Sequence, residues 1–301
     1  MGKQLVKYFV VDAFTDSAFK GNPAAVSLLE EEKDDKWLQS VAAEFNMPVT
    51  CYLTRITRSD TISSTPRFRL RWFATVVEVA LCGHATLAAS HAIFSNGLID
   101  SDIIEFETLS GILTAKKIPK IIEDNVPTTQ NDGPDDCFLI ELNFPAISTA
   151  EFDSDDITPV SKALNLNCAS IIDIRRTTTT DDLFVVLPSA KAVSELQPHF
   201  DDVLKCPGRG IIVTGVAPPE SEFDFYTRFF CPKFGVNEDA VCGSAHCALA
   251  PYWGKKLGKC DFMAYQASQR SGILDIHLDE LNQRVLLQGK AVTIMQGSIL
   301  V

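Results

Sequence analysis

The chain has 301 residues, 46% hydrophobic and 22% charged, with 27 Lys and Arg against 39 Asp and Glu for a formal net charge of −12. That length suits about two domains with a substantial core, and the acidic balance argues against nucleic acid or an anionic membrane as a partner, because phosphates need a basic face. The chain opens directly into a strand pattern, with no apolar leader and no run of about 18 apolar residues, and its nine cysteines form no dense framework, which reads as a cytoplasmic protein with reduced thiols.

Taken in order, residues 8–14 read as a strand. A loop over 12–22 closes on the turn signal Gly21-Asn22-Pro23, and a second strand covers 24–29. Residues 34–45 form an amphipathic helix with Trp37, Leu38, Val41, Ala42 and Phe45 on its apolar face. Strands over 49–54 and 68–73 flank a polar Ser/Thr/Arg loop. A helix starting at His84 precedes strands over 103–108 and 112–118. Residues 119–136, with the run TTQNDGPDD, read as a surface loop. A strand over 138–143 follows, and the acidic, Pro-bearing 145–159 joins two halves. The second half carries strands near 169–174 and 183–187, a short helix over 190–198, and strands near 210–214 and 223–230. A helix from Ser244 then leads to strands over 263–266, 273–277, 285–288 and 292–301.

Two of these stretches are copies. Glu78 to Phe94 reads EVALCGHATLAASHAIF, and Glu238 to Trp253 reads EDAVCGSAHCALAPYW. In each, a Glu lies four residues before a Cys-Gly pair, and a small apolar run follows. Further landmarks keep the same order. Arg71-Trp72-Phe73 and Arg228-Phe229-Phe230 precede the two pairs, and Ser110-Gly111-Ile112-Leu113 and Ser271-Gly272-Ile273-Leu274 follow them. A repeat of half the chain is a duplicated domain, since solenoid repeats are only ~20–50 residues long.

The copies imply a geometry. Cys82 and Cys242 each end a strand, Gly83 and Gly243 allow a tight turn, and the runs from His84 and Ser244 are apolar nearly all round, hence buried helices. A helix of that kind needs a sheet wrapped around it. The expected fold is α+β: two similar barrel-like domains, each a curled, mostly antiparallel sheet around a central helix, related by a pseudo-two-fold axis. Residues 1–145 would form one and 146–301 the other, with the site in the cleft between. The axis would bring both thiols to that cleft at helix N-termini, where free N–H groups and the dipole favour a thiolate or a bound carboxylate.

The chain resembles the phenazine-biosynthesis PhzF-like family, within the diaminopimelate-epimerase-like fold. The resemblance rests on Asp12–Val26 with its F-x-G-N-P-A-A-V run, the EVALCGHAT stretch from Glu78, Asn237-Glu238-Asp239 with Cys242-Gly243-Ser244-Ala245, and QASQRSG over 266–272. It covers nearly the whole chain, and the motifs together are highly specific. One departure bears on mechanism. PhzF-type isomerases carry a catalytic Glu in an N-L-S-E-T segment, whereas residues 46–50 here read NMPVT, so Val49 stands at the Glu position and cannot carry a proton. The two Cys, in turn, match the paired thiols of diaminopimelate-epimerase-like and proline-racemase-like enzymes.

Inverting a stereocentre beside a carboxylate takes a base on one face and an acid on the other. Cys82 and Cys242 are the expected pair, one as thiolate and one as thiol, with each helix N-terminus lowering its thiol pKa toward working pH. Helix N–H groups would hold the substrate carboxylate and the charge that grows on it. By the resemblance, Asp239 would bind a substrate ammonium and Asn22 would hydrogen-bond the substrate, while Gly83, His84, Gly243 and Ser244 line the site. The expectation is a cofactor-independent amino-acid racemase or epimerase, with a small-molecule substrate, no metal and no pyridoxal phosphate; a homodimer is left open. Two alternatives stay open: a PhzF-like isomerase of a small acid using His84 and Asp239, and a non-catalytic binding or scaffold protein. Cys51, Cys137, Cys168, Cys206, Cys231, Cys247 and Cys260 read as packing residues, as do His91 and His246, and Glu78 is undecided between packing and ligand. Zinc at Cys231, Cys242, His246 and Cys247 lacks the paired C-x-x-C spacing of structural sites.

Overall fold

Strand pairing follows one pattern twice. The computed structural model describes residues 5–56, 65–119, 138–152 and 156–300. The first half runs β1 (Leu5–Ala13), β2 (Asn22–Leu29), α1 (Asp35–Phe45), β3 (Val49–Arg55), β4 (Arg67–Phe73), β5 (Glu78–Val79), α2 (Gly83–Ser95), β6 (Ile103–Thr108), β7 (Gly111–Pro119) and β8 (Phe138–Pro145). The second runs β9 (Thr149–Glu151), α3 (Thr158–Ala163), β10 (Asp173–Thr177), β11 (Leu183–Leu187), α4 (Ala190–Ser194), α5 (Phe200–Val203), β12 (Ile211–Val216), β13 (Phe225–Cys231), β14 (Val236–Asp239), α6 (Gly243–Leu257), β15 (Asp261–Gln266), β16 (Gly272–Asp279), β17 (Arg284–Gly289) and β18 (Ala291–Leu300).

In the first half β1–β2 is antiparallel, β2–β3 parallel, β3–β4 antiparallel, β4–β6 parallel, and β6–β7–β8 antiparallel. The second half repeats that series with β10, β11, β12, β13, β15, β16 and β17. The short β5 and β14 pair with β4 and β13. The fold is therefore α+β, two similar barrel-like domains each curled about one helix. β8 and β17 pair antiparallel and join them. The strand after β17 crosses over, β18 pairing with β1, while β9, the strand after β8, pairs with β10 inside the second half. Sheet pairing thus crosses residue 145 twice, at β8–β17 and at β1–β18, and the first and last strands lie side by side.

The two Cys-Gly helices are inside because their residues are mostly small or apolar, and the charged Lys255 and Lys256 in the last turn of α6 are exposed. Every residue of α2 from Gly83 to Phe94 is buried, and so are Gly243–Ala250, Trp253 and Gly254 of α6. Pro251 within α6 cannot donate to Cys247, but the Ile147 N–H does so instead at 2.9 Å, so the carbonyl is satisfied. By contrast α1 buries only Leu38 and Ala42; Asp34 caps it by accepting from Trp37 N–H, and Asn46, at φ 51°, ends it.

Boundaries differ from the sequence reading where turns intervene. The helix expected over 190–198 is only α4, ending at Ser194, because Pro198 has no N–H to donate to the Ser194 carbonyl; α5 is a separate short helix beyond that proline. Residues 169–174 begin as a short 3₁₀ turn, with Asn167 accepting from Ala169 N–H, before β10 starts. The 145–159 connection contains β9 and the start of α3. Most of the polar loop before β4, nearly all of the 119–136 loop, and Cys137 lie outside the described residues. Among the described residues no helix is long and apolar enough to cross a membrane.

Candidate active site

The two Cys-Gly turns meet. Cys82 is the N-cap of α2 and Cys242 the N-cap of α6, both in extended backbone geometry. A Cβ placed on Gly83 would fall 2.8 Å from Gly243 Cα, and one on Gly243 would fall 2.9 Å from Gly83 Cα. Only glycine allows that approach, and the contact is reciprocal, as a pseudo-two-fold axis between the helix ends requires.

The repeat landmarks flanking these turns are partners. Arg71 donates through Nε and Nη2 to Glu78 at 2.8 and 2.7 Å. Arg228 does the same to Glu238 at 2.7 and 2.8 Å. Each bidentate pair ties a long strand, β4 or β13, to the short strand that leads into its Cys. Glu78 and Glu238 are therefore held by arginine in the sheet.

One cleft of about 80 Å³ is lined by Cys82, Gly83, His84, Cys242, Gly243, Ser244 and Asp239, together with Val49, Arg209 and Cys231. Its size suits a small molecule. The residues two after each Cys face their thiols: Cys82 Sγ lies 3.5 Å from His84 Nδ1, and Cys242 Sγ lies 3.4 Å from Ser244 Oγ. His84 Nε2 is buried with no partner among the described residues. Val49 lines the same cleft, so no carboxylate enters from that position.

Asn22 is not among the lining residues. It is fully buried and donates through Nδ2 to Asp239 Oδ1 and to Val241 O, so it steadies Asp239 and the approach to Cys242 rather than facing the cleft. Gln266 completes this support, accepting from Cys242 N–H at 2.8 Å and donating to Asp239 O at 2.8 Å.

The protonation state departs from the sequence expectation. Burial pushes the Cys82 thiol up to about 12; the Ala85 N–H opposes this, Asp239 adds to it, and Arg209 opposes it. Burial, then Asp239, also raise the Cys242 thiol well above the ordinary range, against Arg209, Ser244 and the Ala245 N–H. The helix N-termini are present, but loss of water outweighs them. Burial likewise lowers the His84 pKa, with Asp239 opposing, so its imidazole is neutral near pH 7.

Two lining residues carried no signal that sequence reasoning used. Cys231, read as packing, ends β13 against the cleft. Arg209 sits in Pro207-Gly-Arg-Gly210, which reads as an ordinary turn. Two further thiols are engaged inside the core: Cys51 Sγ donates to Ala25 O at 3.3 Å, and Cys247 Sγ to Gly243 O at 3.6 Å. Among the described residues no three His, Cys, Asp or Glu side chains are grouped to hold a metal ion.

Comparison with known proteins agrees with this architecture. The family model PhzC-PhzF, described as phenazine biosynthesis-like protein, matches residues 11–297. An uncharacterized isomerase of Halalkalibacterium halodurans is 40% identical over 293 residues, covering 97% of each chain. The crystal structure of a phenazine biosynthesis protein of the PhzF family from Enterococcus faecalis superposes with a TM-score of 0.80 at 32% identity, covering 99% of this chain and all of that one. A hydroxyproline epimerase from Agrobacterium vitis, solved with trans-4-hydroxy-L-proline bound, superposes with a TM-score of 0.61 at 11% identity, covering all of this chain and 92% of that one, which is a likeness of fold.

Proposed function

The chain belongs to the phenazine biosynthesis-like PhzC-PhzF family, and from that membership we propose that it is an isomerase that moves a proton on a small acid: an amino-acid racemase or epimerase working through Cys82 and Cys242. The observation that carries this reading is the meeting of the two Cys-capped helix ends at Gly83 and Gly243, with both thiols on one cleft.

The first-turn N–H groups of α2 and α6 have no intrahelical acceptors and suit a carboxylate. Asp239 suits the ammonium group beside it. A thiolate on one side takes the Cα proton, the electron pair is delocalised into the carboxylate, and the opposite thiol delivers its proton to the other face. The products are the inverted amino acid and a pair with base and acid exchanged. Asp239 couples binding to this chemistry. Its charge helps to raise both thiol pKa values, and a substrate ammonium would cancel that charge on arrival. High thiol basicity has a benefit too, since the scarce thiolate is a stronger base toward a weakly acidic C–H.

The test is proton exchange in D₂O, followed at Cα across a panel of free amino acids. Wild-type protein is expected to incorporate deuterium into a responsive substrate and to invert it. Cys82→Ser and Cys242→Ser should each lose most of that exchange; normal exchange in both would end the two-thiol reading.

A second reading has its own support. His84 Nε2 lines the cleft with no partner among the described residues and its imidazole is neutral, while burial keeps both thiols protonated. A PhzF-like isomerase could then use His84 with Asp239 to shift a proton. In that case His84→Asn abolishes turnover and the Cys→Ser variants keep it.

A further inference from the structure

The two walls of the cleft differ in chemistry. Phe73 pairs with Glu78 across β4–β5, and Phe230 pairs with Glu238 across β13–β14, so Val79 and Asp239 occupy corresponding places. Both line the cleft. The first half adds the apolar Pro48, Val49, Ala74 and Leu81, and the second half adds the apolar Phe229, Phe234 and Val236 together with the cation Arg209. The two charged side chains of the cleft, Asp239 and Arg209, both come from the second half.

Arg209 is held there deliberately. Gly208 has φ +80°, and a Cβ on it would lie 2.4 Å from Asp181 O; a Cβ on Gly210 would lie 2.8 Å from Phe230 O. The two glycines let this turn run against its neighbours, leaving Arg209 as the one side chain between them. Lys233 Nζ donates to Cys206 O and Gly208 O at 2.6 and 2.5 Å and pins the turn. The guanidinium carbon is 5.7 Å from the ring centres of both Phe229 and Phe234. Its Nε and Nη2 donate to the buried Asp182 carboxylate at 2.8 and 2.6 Å. Burial would lower the Arg209 pKa, but Asp182 outweighs burial and raises it, so the group stays charged. Nη1 has no partner among the described residues. Asp182 uses two of the five N–H donors, and the Nη1–Nη2 edge that remains matches a carboxylate side-on.

We propose that Arg209 determines specificity by binding a second carboxylate on the substrate, distal to the one at the reacting carbon, so that the substrate class is small dicarboxylic amino acids. The inference rests on the racemase reading above. There the reacting carboxylate belongs to the helix ends and the ammonium to Asp239, which leaves Arg209 as the cation for a further anionic group. An apolar side chain would leave its open donor edge facing no acceptor, and that mismatch disfavours neutral substrates.

Binding separates this inference from the reading beneath it. Succinate and glutarate are titrated calorimetrically against butyrate as probes, on wild-type protein and on Arg209→Gln. Because Arg209→Gln strands the buried Asp182 charge, the Asp182→Asn/Arg209→Gln double variant is measured alongside, with its fold checked by circular dichroism. A dicarboxylate preference of about tenfold or more is expected in wild type, falling to near unity in the variants. In the exchange assay the KM for an acidic amino acid should rise about tenfold. Equal binding of mono- and dicarboxylates by wild type, no binding of either dicarboxylate, or a preference that survives in the double variant overturns the proposal. If dicarboxylate preference vanishes with Arg209 while no amino acid exchanges its α-proton, the racemase reading fails and this one stands. If neutral amino acids exchange regardless of Arg209, this proposal fails and the racemase reading stands.

Discussion

Gly83 and Gly243 occupy each other's missing side-chain space: a Cβ on either would come within 3 Å of the other's Cα. The helix ends that carry Cys82 and Cys242 are therefore as near as backbone allows, and every distance across the cleft is set by this contact. Gly83→Ala or Gly243→Ala should force the ends apart. An overpacked backbone contact of this kind costs about 1–3 kcal/mol, and a shift of about 1 Å at the site is enough to lose roughly 100-fold in rate. Urea midpoints and deuterium exchange measure the two effects separately. An alanine variant with wild-type exchange would show that the spacing of the helix ends is not critical.

The thiols should be slow nucleophiles at neutral pH. With Cys82 pushed up to about 12 and Cys242 also well raised by burial, the thiolate fraction grows about tenfold per pH unit up to the pKa. Iodoacetamide modification of Cys82, followed by peptide mass spectrometry, should keep rising from pH 7 to pH 10 without a plateau. A plateau near pH 8 would mean that the helix N-terminus prevails over burial after all.

Much of this arrangement is legible in the chain. The Arg and Glu landmarks that recur before each Cys are the two ends of one ion pair, Arg71 with Glu78 and Arg228 with Glu238, so their recurrence reflects one local structure used twice. The all-apolar runs after each Cys told correctly that helices would be wrapped by sheet. What stayed hidden was non-local. The crossing of β18 to β1 is set by pairing between the two ends of the chain. Arg209 enters the cleft from a turn well before Cys242, and its importance comes from Asp182, Phe229 and Phe234, which are scattered through the sequence. The thiol pKa also depends on depth, which spacing at a helix N-cap does not encode. Asn22 was readable as a conspicuous Gly-Asn turn, yet its amide stands behind Asp239.

Asp239→Asn should act in two directions at once. The carboxylate raises the pKa of both Cys82 and Cys242, so its removal should lower both and speed alkylation severalfold at pH 8. The same change removes the counter-ion proposed for a substrate ammonium, so KM for an amino acid should rise about tenfold or more. Alkylation that slows in the variant would contradict the electrostatic role given to Asp239.

Acid should weaken the fold through His246. Its ring is fully buried in α6, Nδ1–H donates to Cys242 O at 2.7 Å, and Nε2 has no partner among the described residues. Burial depresses its pKa to about 4, with the Cys242 carbonyl opposing. In the unfolded chain the imidazole titrates near ~6.5, so between those values the unfolded state binds a proton that the folded state refuses. Stability from neutral His246 is complete above about pH 6.5 and is lost as pH falls toward 4, a total of about 3 kcal/mol. Urea unfolding at pH 7.5 and pH 4.5 should show this loss in wild type and a shallower one in His246→Gln, whose amide can still donate to the Cys242 carbonyl without titrating. Equal losses in the two proteins would assign the acid sensitivity to other groups, His84 first among them because burial lowers its pKa in the same direction.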